Sequence, residues 1–322
     1  MITDGLDESV LAGQTRAVAR AITLAETGDE EAVRLVAKLR PSAKRGQVIG
    51  LTGSPGAGKS TLVGELAKEF RSRGKTVGVI AIDPSSPFSG GAFLGDRVRM
   101  PDLASDPGVY VRSMASRGRP GGLAAAVEDA TVILRAAGKD VVLVETVGVG
   151  QGELDVTNVV QTVVVVLTPG MGDEIQSLKA GILEVADVYV VNKSDLPGAD
   201  MVARSLQSLA HQAASTWTRP ILLTSSVSRE GVPALADAIE CHKRYLSTRR
   251  AASEPEMHRA LQAVLALAGR QMLQDLESIV EVKQLERIAA AVAAGKMDPK
   301  EAAGLLVHFY LEAHLSVTPR VW

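Results

Sequence analysis

Between Gln47 and Leu62 the chain reads QVIGLTGSPGAGKSTL, in which Gly53, Gly58, Lys59 and Ser60 keep the spacing G-x-x-x-x-G-K-[ST]. Residues of these types at this spacing hold phosphate. The glycines let backbone N–H groups curl around phosphate oxygens, the lysine ammonium reaches the terminal phosphates, and the serine hydroxyl suits a magnesium ion. Gly56, Ala57 and Thr61 complete the candidate contacts of this loop. Val48, Ile49 and Leu51 before it, and Leu62, Leu66 and Phe70 after it at helical spacing, predict a strand, a loop and a helix. The positive N-terminal end of that helix adds to the attraction for an anion.

A second set follows an apolar run in VYVVNKSD, residues 188 to 195, where Asn192, Lys193 and Asp195 form the pattern N-K-x-D. A carboxylate at Asp195 can accept from both the ring N–H and the amino group of guanine. Adenine lacks that donor pair, and the poorly paired acceptor would then cost roughly a few kcal/mol. The Lys193 stem can lie along a base while Asn192 ties the loop together. Asn-Lys-x-Asp also makes ordinary turns. Its position after a strand candidate, in a chain with a phosphate loop, favours the guanine reading. Ser225 and Ser226, in Thr224-Ser225-Ser226, stand where a further base-contacting loop would fall.

Magnesium beside a nucleotide needs oxygen ligands around the β- and γ-phosphates. Ser60 supplies one. Glu145 ends VVLVE and is followed by Thr146-Val147-Gly148, the place of the aspartate in a D-x-x-G pattern, with Gly148 able to bring an N–H toward a γ-phosphate. Asp83 in AIDPSSP and Asp96 in GDRVRM are further metal candidates, although each aspartate also suits a cap or turn. Val149 rather than a glutamine follows Gly148, and Gln151 comes later, which predicts slow intrinsic hydrolysis. The loop from Pro169 to Gln176, leading toward Lys179, reads from composition alone equally as a helix start with acidic first-turn residues.

The elements that must position these residues alternate along the middle of the chain. Strand candidates are 48–51, 77–82, 109–111, 141–144, 163–167, 188–191 and 221–223, mostly continuous β-branched runs that suit a sheet buried on both faces. Helices are expected near 60–73, 121–137, 173–185, 200–213 and 232–247. The fold class is therefore α/β, a P-loop NTPase with a mainly parallel, doubly wound sheet spanning 46–250 and ligands at the carboxyl ends of the strands. Residues 1–45 read as a helical pair: Val10, Leu11, Val18, Ile22 and Leu24 on the first helix, then Val33, Leu35, Val36 and Leu39 on a second that starts after Gly28-Asp29 and stops at Pro41. Such a pair cannot bury its own apolar stripe and must pack on the rest of the chain. Residues 251–322 read as a C-terminal helical arm, with Asp298-Pro299-Lys300-Glu301 as a helix start and Leu305, Leu306, Phe309 and Leu315 as apolar positions.

A charged fraction of 22% with a net charge of only −2 gives no electrostatic case for nucleic acid or a membrane surface. The lone Cys241 forbids an intrachain disulfide framework and fits a reducing compartment. With acidic residues rather than a basic, then apolar, segment at its start, the chain is expected in the cytoplasm.

Taken in order, GSPGAGKST, AIDPSSPFSGGAFLGDRVRM, ETVGVGQGE, PGMGDEIQSLKAGI and NKSD resemble the MeaB/ArgK/MMAA family of P-loop GTPases, over essentially the whole chain. The resemblance implies a GTPase chaperone of an adenosylcobalamin-dependent acyl-CoA mutase, chiefly methylmalonyl-CoA mutase, that gates cobalamin loading and protects or reactivates the mutase. It implies GTP and GDP as ligands with Mg²⁺. Lys59, Ser60 and Thr61 would bind phosphate and metal, Asp83, Asp96 and Glu145 the metal and its water shell, and Asn192, Lys193 and Asp195 guanine. The 170–179 loop would be a third switch that brings Gln176 and Lys179 to the nucleotide when the mutase binds. A homodimer is also implied; by their own apolar character Leu261, Leu265, Leu267 and Leu276 of the arm are candidate contacts for self-association, with packing back on the same chain as the alternative. Two alternatives remain: a P-loop kinase of a small molecule or transport protein, and a metal-insertion GTPase. The second would need ligand clusters that five scattered histidines and one cysteine do not supply.

Overall fold

The computed structural model describes residues 5–44, 46–83, 103, 105–115, 122–146, 159–170, 185–210, 217–249, 264, 268, 269, 272, 273, 275, 276, 279, 280 and 282–314. The chain divides into two units, Met1–Ser253 and Glu254–Trp322.

In the first unit, seven strands form one sheet: β1 Gln47–Gly53, β2 Val77–Asp83, β3 Val109–Ala115, β4 Val141–Glu145, β5 Thr162–Leu167, β6 Val188–Val191 and β7 Ile221–Leu223. Their order is β3-β2-β4-β1-β5-β6-β7, and every pairing is parallel. The continuous apolar runs have the expected cause: β1, β4, β5 and β6 are buried along their whole length, so both faces need apolar side chains. β7, at the sheet edge, is partly exposed. β3 runs four residues beyond the 109–111 expected, because its pairing with β2 continues through Asp83↔Ala115.

Helices cover the two faces. On one, α4 Lys59–Ser72 lays Leu62, Leu66 and Phe70 against Ile49, Leu51, Val164 and Val166. Each such fully buried side chain contributes about 1.5–3 kcal/mol. On the other face, Val48, Val142, Val144 and Val165 meet α5 Gly122–Ala136, α6 Ala199–Ala210 and the N-terminal helices. A helix α7, Val232–Arg249, joins α4 on the first face through Val232, Leu235 and Ile239.

The N-terminal segment holds three helices rather than the expected two: α1 Leu6–Leu11, α2 Thr15–Ala25 and α3 Glu30–Leu39. Gly13 adopts φ 71°, a left-handed conformation that ends α1 where apolar periodicity alone suggests one continuous helix. Asp29 caps α3 as expected, its carboxylate accepting from the Ala32 N–H at 2.9 Å. α3 ends at Leu39, just ahead of Pro41 as expected, and a 3₁₀ helix, Arg40–Lys44, then carries the proline. Proline at the start of a new turn gives up an N–H that has no partner there. Leu11 and Val33, expected on apolar faces, are 46% and 58% exposed, whereas Val10, Val18, Ile22, Leu35, Val36 and Leu39 are buried in the core they share with the sheet.

The second unit contains α8 Val282–Ala293 and α9 Pro299–His314. Gly295, at φ 67°, closes α8, and Asp298 opens α9 by accepting from the Lys300 N–H at 2.8 Å. Leu305, Val307 and Leu311 on α9 are exposed. Leu276 is half-buried, whereas Leu261, Leu265, Leu267 and Leu315 lie outside the described residues, as does all but the last residue of the helix expected at 173–185.

Candidate nucleotide site

β1 enters the loop at Gly53, whose φ of 136° and surroundings admit only glycine: a Cβ there would stand 2.0 Å from the Val166 carbonyl oxygen. Gly56 and Gly58 also have positive φ, 74° and 83°. The first faces open space, and the second would drive a Cβ to 2.5 Å from the Asn192 amide nitrogen. Gly58 is the N-cap of α4, so the helix begins on Lys59 and aims its N–H groups into the loop.

Lys59 is buried, and its ammonium donates to the carbonyls of Gly53 at 2.7 Å and Ser54 at 3.0 Å. The charge thus spans the loop it belongs to. The Ser60 hydroxyl donates to Glu145 Oε1 at 2.5 Å. Glu145 is delivered there because it ends β4 and pairs with Leu51 on β1, just before the loop. Thr146 secures that end of β4 through its N–H, which donates to the Leu51 carbonyl at 3.0 Å. Asp83 closes β2, two residues beyond the Ala81↔Glu145 pair, so its backbone lies at the same end of the sheet. Thr61 is exposed, and Ala57 is buried. Asp96, Gly148, Gln176 and Lys179 lie outside the described residues.

The N-K-x-D segment leaves β6 and turns at Lys193, a non-glycine residue at φ 57°. The Asn192 amide donates to the Ala57 carbonyl at 2.9 Å, and its oxygen accepts from Thr224 Oγ1 at 3.1 Å, Ser226 Oγ at 2.9 Å and the Ser226 N–H at 3.3 Å. One buried side chain therefore fastens three loops. The Lys193 ammonium reaches the Gly56 carbonyl at 2.8 Å, laying its stem across the phosphate loop. The Ser194 N–H donates to the Thr224 carbonyl at 3.0 Å. Asp195 is exposed, and Ser225 and Ser226 are buried.

The structure thus gathers Gly53 to Ser60, Glu145, Asn192, Lys193, Ser225 and Ser226 at the carboxyl ends of the parallel strands, on both sides of β1. Glu65 and Arg229, 164 positions apart, escaped the reading of motifs because no local pattern marks them. Arg229 Nε lies 2.9 Å from Glu65 Oε2 and joins the loop after β7 to α4. The arrangement offers an anion a ring of N–H groups and two ammoniums. It offers a magnesium ion the hard oxygens of Ser60 and Glu145, close enough for both to reach one small cation. Among the described residues there is no cluster of three or more His, Cys, Asp or Glu side chains suited to a metal, and no helix long and apolar enough to cross a membrane.

A GTPase-named protein of Pyrococcus abyssi is 40% identical, over 98% of this chain and 98% of its own. The mitochondrial methylmalonic aciduria type A homolog of mouse is 32% identical, over 97% of this chain and 80% of its own. The GTPase ArgK of Escherichia coli is 35% identical, over 70% and 72%. A crystal structure of a LAO/AO transport system kinase is similar with a TM-score of 0.70 and 25% identity, covering 94% of this chain and 96% of that one. The family model of the methylmalonyl-CoA mutase-associated GTPase MeaB matches residues 18–281. With a P-loop on an all-parallel sheet and that match across most of its length, the chain belongs to the MeaB family of GTPases, enzymes that hydrolyse GTP.

Proposed function

We propose that this GTPase acts in the cytoplasm as a chaperone of an adenosylcobalamin-dependent acyl-CoA mutase, in the first place methylmalonyl-CoA mutase, using its nucleotide state to gate cobalamin loading and to protect or reactivate the mutase. The observation that carries this reading is the match to a mutase-associated GTPase model over residues 18–281. The likeness to the mouse methylmalonic aciduria type A homolog over 97% of the chain supports it. A homodimer formed through residues 251–322 belongs to the same proposal, supported by the exposed apolar side chains of Met272, Leu273 and Leu311.

In this reading Gly53, Gly56, Ala57, Gly58 and Thr61 wrap the phosphates. Lys59 exchanges the carbonyls of Gly53 and Ser54 for phosphate oxygens, so its charge serves the loop when nucleotide is absent and the γ-phosphate when it is present. Asp195 accepts from guanine, Lys193 lies along the base, and Ser225 and Ser226 close over it. Ser60 and Glu145 would hold Mg²⁺ with Asp83 and Asp96, and the chemistry supplied by the bound ion is neutralisation of charge on the β- and γ-phosphate oxygens. Gly148 would bring an N–H to the γ-phosphate. Gln176 and Lys179 would orient water and neutralise charge once a partner positions them.

The test is co-purification of the full chain with its mutase in GDP and in a non-hydrolysable GTP analogue. Retention that differs between the two nucleotides is expected; no association in either sinks the chaperone reading. The similar structure named for a transport system kinase favours one alternative, phosphoryl transfer to an acceptor. Label from γ-labelled GTP that appears in inorganic phosphate, rather than on an acceptor, decides against it.

A further inference from the structure

The loop after β7 contributes Ser225 and Ser226 to the base side of the site, and its height over a base depends on how it is anchored. Three features shape it. The Ser225 N–H donates to the Glu230 carbonyl at 3.0 Å, closing a tight turn. Gly231 sits at φ 74°, where a Cβ would stand 2.0 Å from the Leu223 carbonyl oxygen. Arg229 occupies the left-handed region at φ 63°, a conformation that is costly for a side chain of its size. A strained residue persists where its side chain makes a contact that the relaxed backbone would lose.

That contact is with Glu65. Arg229 Nε lies 2.9 Å from Glu65 Oε2, while Glu65 Oε1 accepts from Lys68 at 2.9 Å. The Glu65 side chain is only 14% exposed, so the pair is partly shielded from water, and Arg229 at 52% closes over it. Glu65 lies in α4, the helix that begins at Lys59 and carries the phosphate loop. On the other side, Ser226 is bonded to Asn192, and Asn192 to Ala57. The base loop is thus fixed at two points to the body that holds the phosphates.

We propose that Arg229 and Glu65 form a positioning pair, which sets the base-closing loop against the phosphate-loop helix and thereby sharpens discrimination for guanine. This rests on the guanine reading of Asp195. Neither residue touches the nucleotide: Arg229 acts through the backbone of Ser225 and Ser226. A second link to α4 supplies a control. Arg73, which caps the C-terminal end of α4, donates to Asp237 on α7 at 2.6 Å, at the opposite end of α4 from the phosphate loop.

The experiment measures affinities of GDP and ADP for the full-length protein with magnesium present, together with thermal stability. Wild-type preference for GDP tests the guanine reading by itself; equal affinities would remove the basis on which the pair is argued. With that preference in place, R229A is expected to weaken GDP by about two- to fivefold, the scale of a partly exposed ion pair, and to leave ADP unchanged. E65Q should do the same, and the R229A/E65Q double variant should lose no more than either single one. R229G separates the contact from the strain, since glycine is at ease at this φ but lacks the guanidinium. Loss of selectivity in R229G despite equal or higher thermal stability supports the pair. Retained selectivity in R229G, additive losses in the double variant, or an equal loss of selectivity in D237A would overturn it.

Discussion

The side-chain amide of Asn192 donates to the Ala57 carbonyl at 2.9 Å, so the residue that opens the N-K-x-D segment also braces the phosphate loop. Its oxygen gathers Thr224 and Ser226 from a third loop. Replacement by alanine strips all of these partners at once within a buried site. N192A should lose about 1–3 kcal/mol of stability, the cost of orphaned buried polar groups, and should weaken both the base and the phosphate contacts to nucleotide. Urea unfolding and GDP titration measure the two effects; a change in affinity with full stability would separate roles that the geometry joins.

The glycines of the loop should not respond alike. At Gly53 an added methyl meets the Val166 carbonyl at 2.0 Å, a backbone atom that cannot move alone, whereas at Gly56 it meets nothing within 4 Å. G56A is therefore expected to cost about 1–2 kcal/mol, the strain of a left-handed alanine. G53A should cost several times as much or prevent folding. Chemical denaturation of both variants tests the ranking, and equal losses would mean that the close approach to β5 has no energetic weight.

Val149 follows Gly148 where small GTPases carry a glutamine. Single-turnover cleavage of GTP by the protein alone is expected on the order of 10⁻⁴–10⁻³ s⁻¹. Removing the ammonium in K59A should lower even this by about 10²–10³-fold. Rapid turnover without any partner contradicts the first expectation. An unchanged rate in K59A contradicts the placing of Lys59 at the reacting phosphate.

Asp106 supplies a dependence on pH far from the site. The Arg71 side chain donates to it at 2.9 Å and the Gly108 N–H at 2.7 Å, and these bonds hold its carboxyl below the ordinary carboxylate range. A depressed folded value means that the stabilisation is complete above about pH 4, the unfolded value, and fades as pH falls through the folded one. D106N should therefore be less stable than wild type at neutral pH, with the gap closing in strong acid. Urea midpoints at about pH 7 and pH 3 check this. A gap that widens on acidification would reverse the sign.

Much of this architecture is legible before any coordinates. The strands β1, β4, β5 and β6 announce themselves because a sheet buried on both faces demands runs such as Val163 to Leu167, which no solvent-facing segment would tolerate. The motifs at Lys59 and Asn192 are legible because the phosphate-loop and N-K-x-D patterns each require particular residue types at fixed spacing. Features that escape are either conformational or distant. Gly13 breaks a helix by adopting positive φ, a choice that apolar periodicity does not record. Lys193 turns left-handed inside a motif that specifies only its side chain. Arg229 and Glu65 become neighbours only through the fold, since residues 164 positions apart share no pattern. The roles of Asp96, Gln176 and Lys179 rest on family resemblance, and the described residues do not include them.

The strand order gives this molecule two wings, to which the proposed reading assigns separate duties. β1 stands between β4 on one side and β5 on the other, so one wing runs out to β3 and the other to β7. Glu145 and Asp83 arrive on the first wing, and Asn192, Lys193 and Ser226 on the second. In the proposed reading, the metal-holding residues and the base-reading residues are thus drawn from different stretches of chain, which meet at Gly53 to Ser60. An engineer who wished this protein to answer to another nucleobase could, on that reading, confine the edits to the loops after β6 and β7 and leave the metal-holding wing untouched.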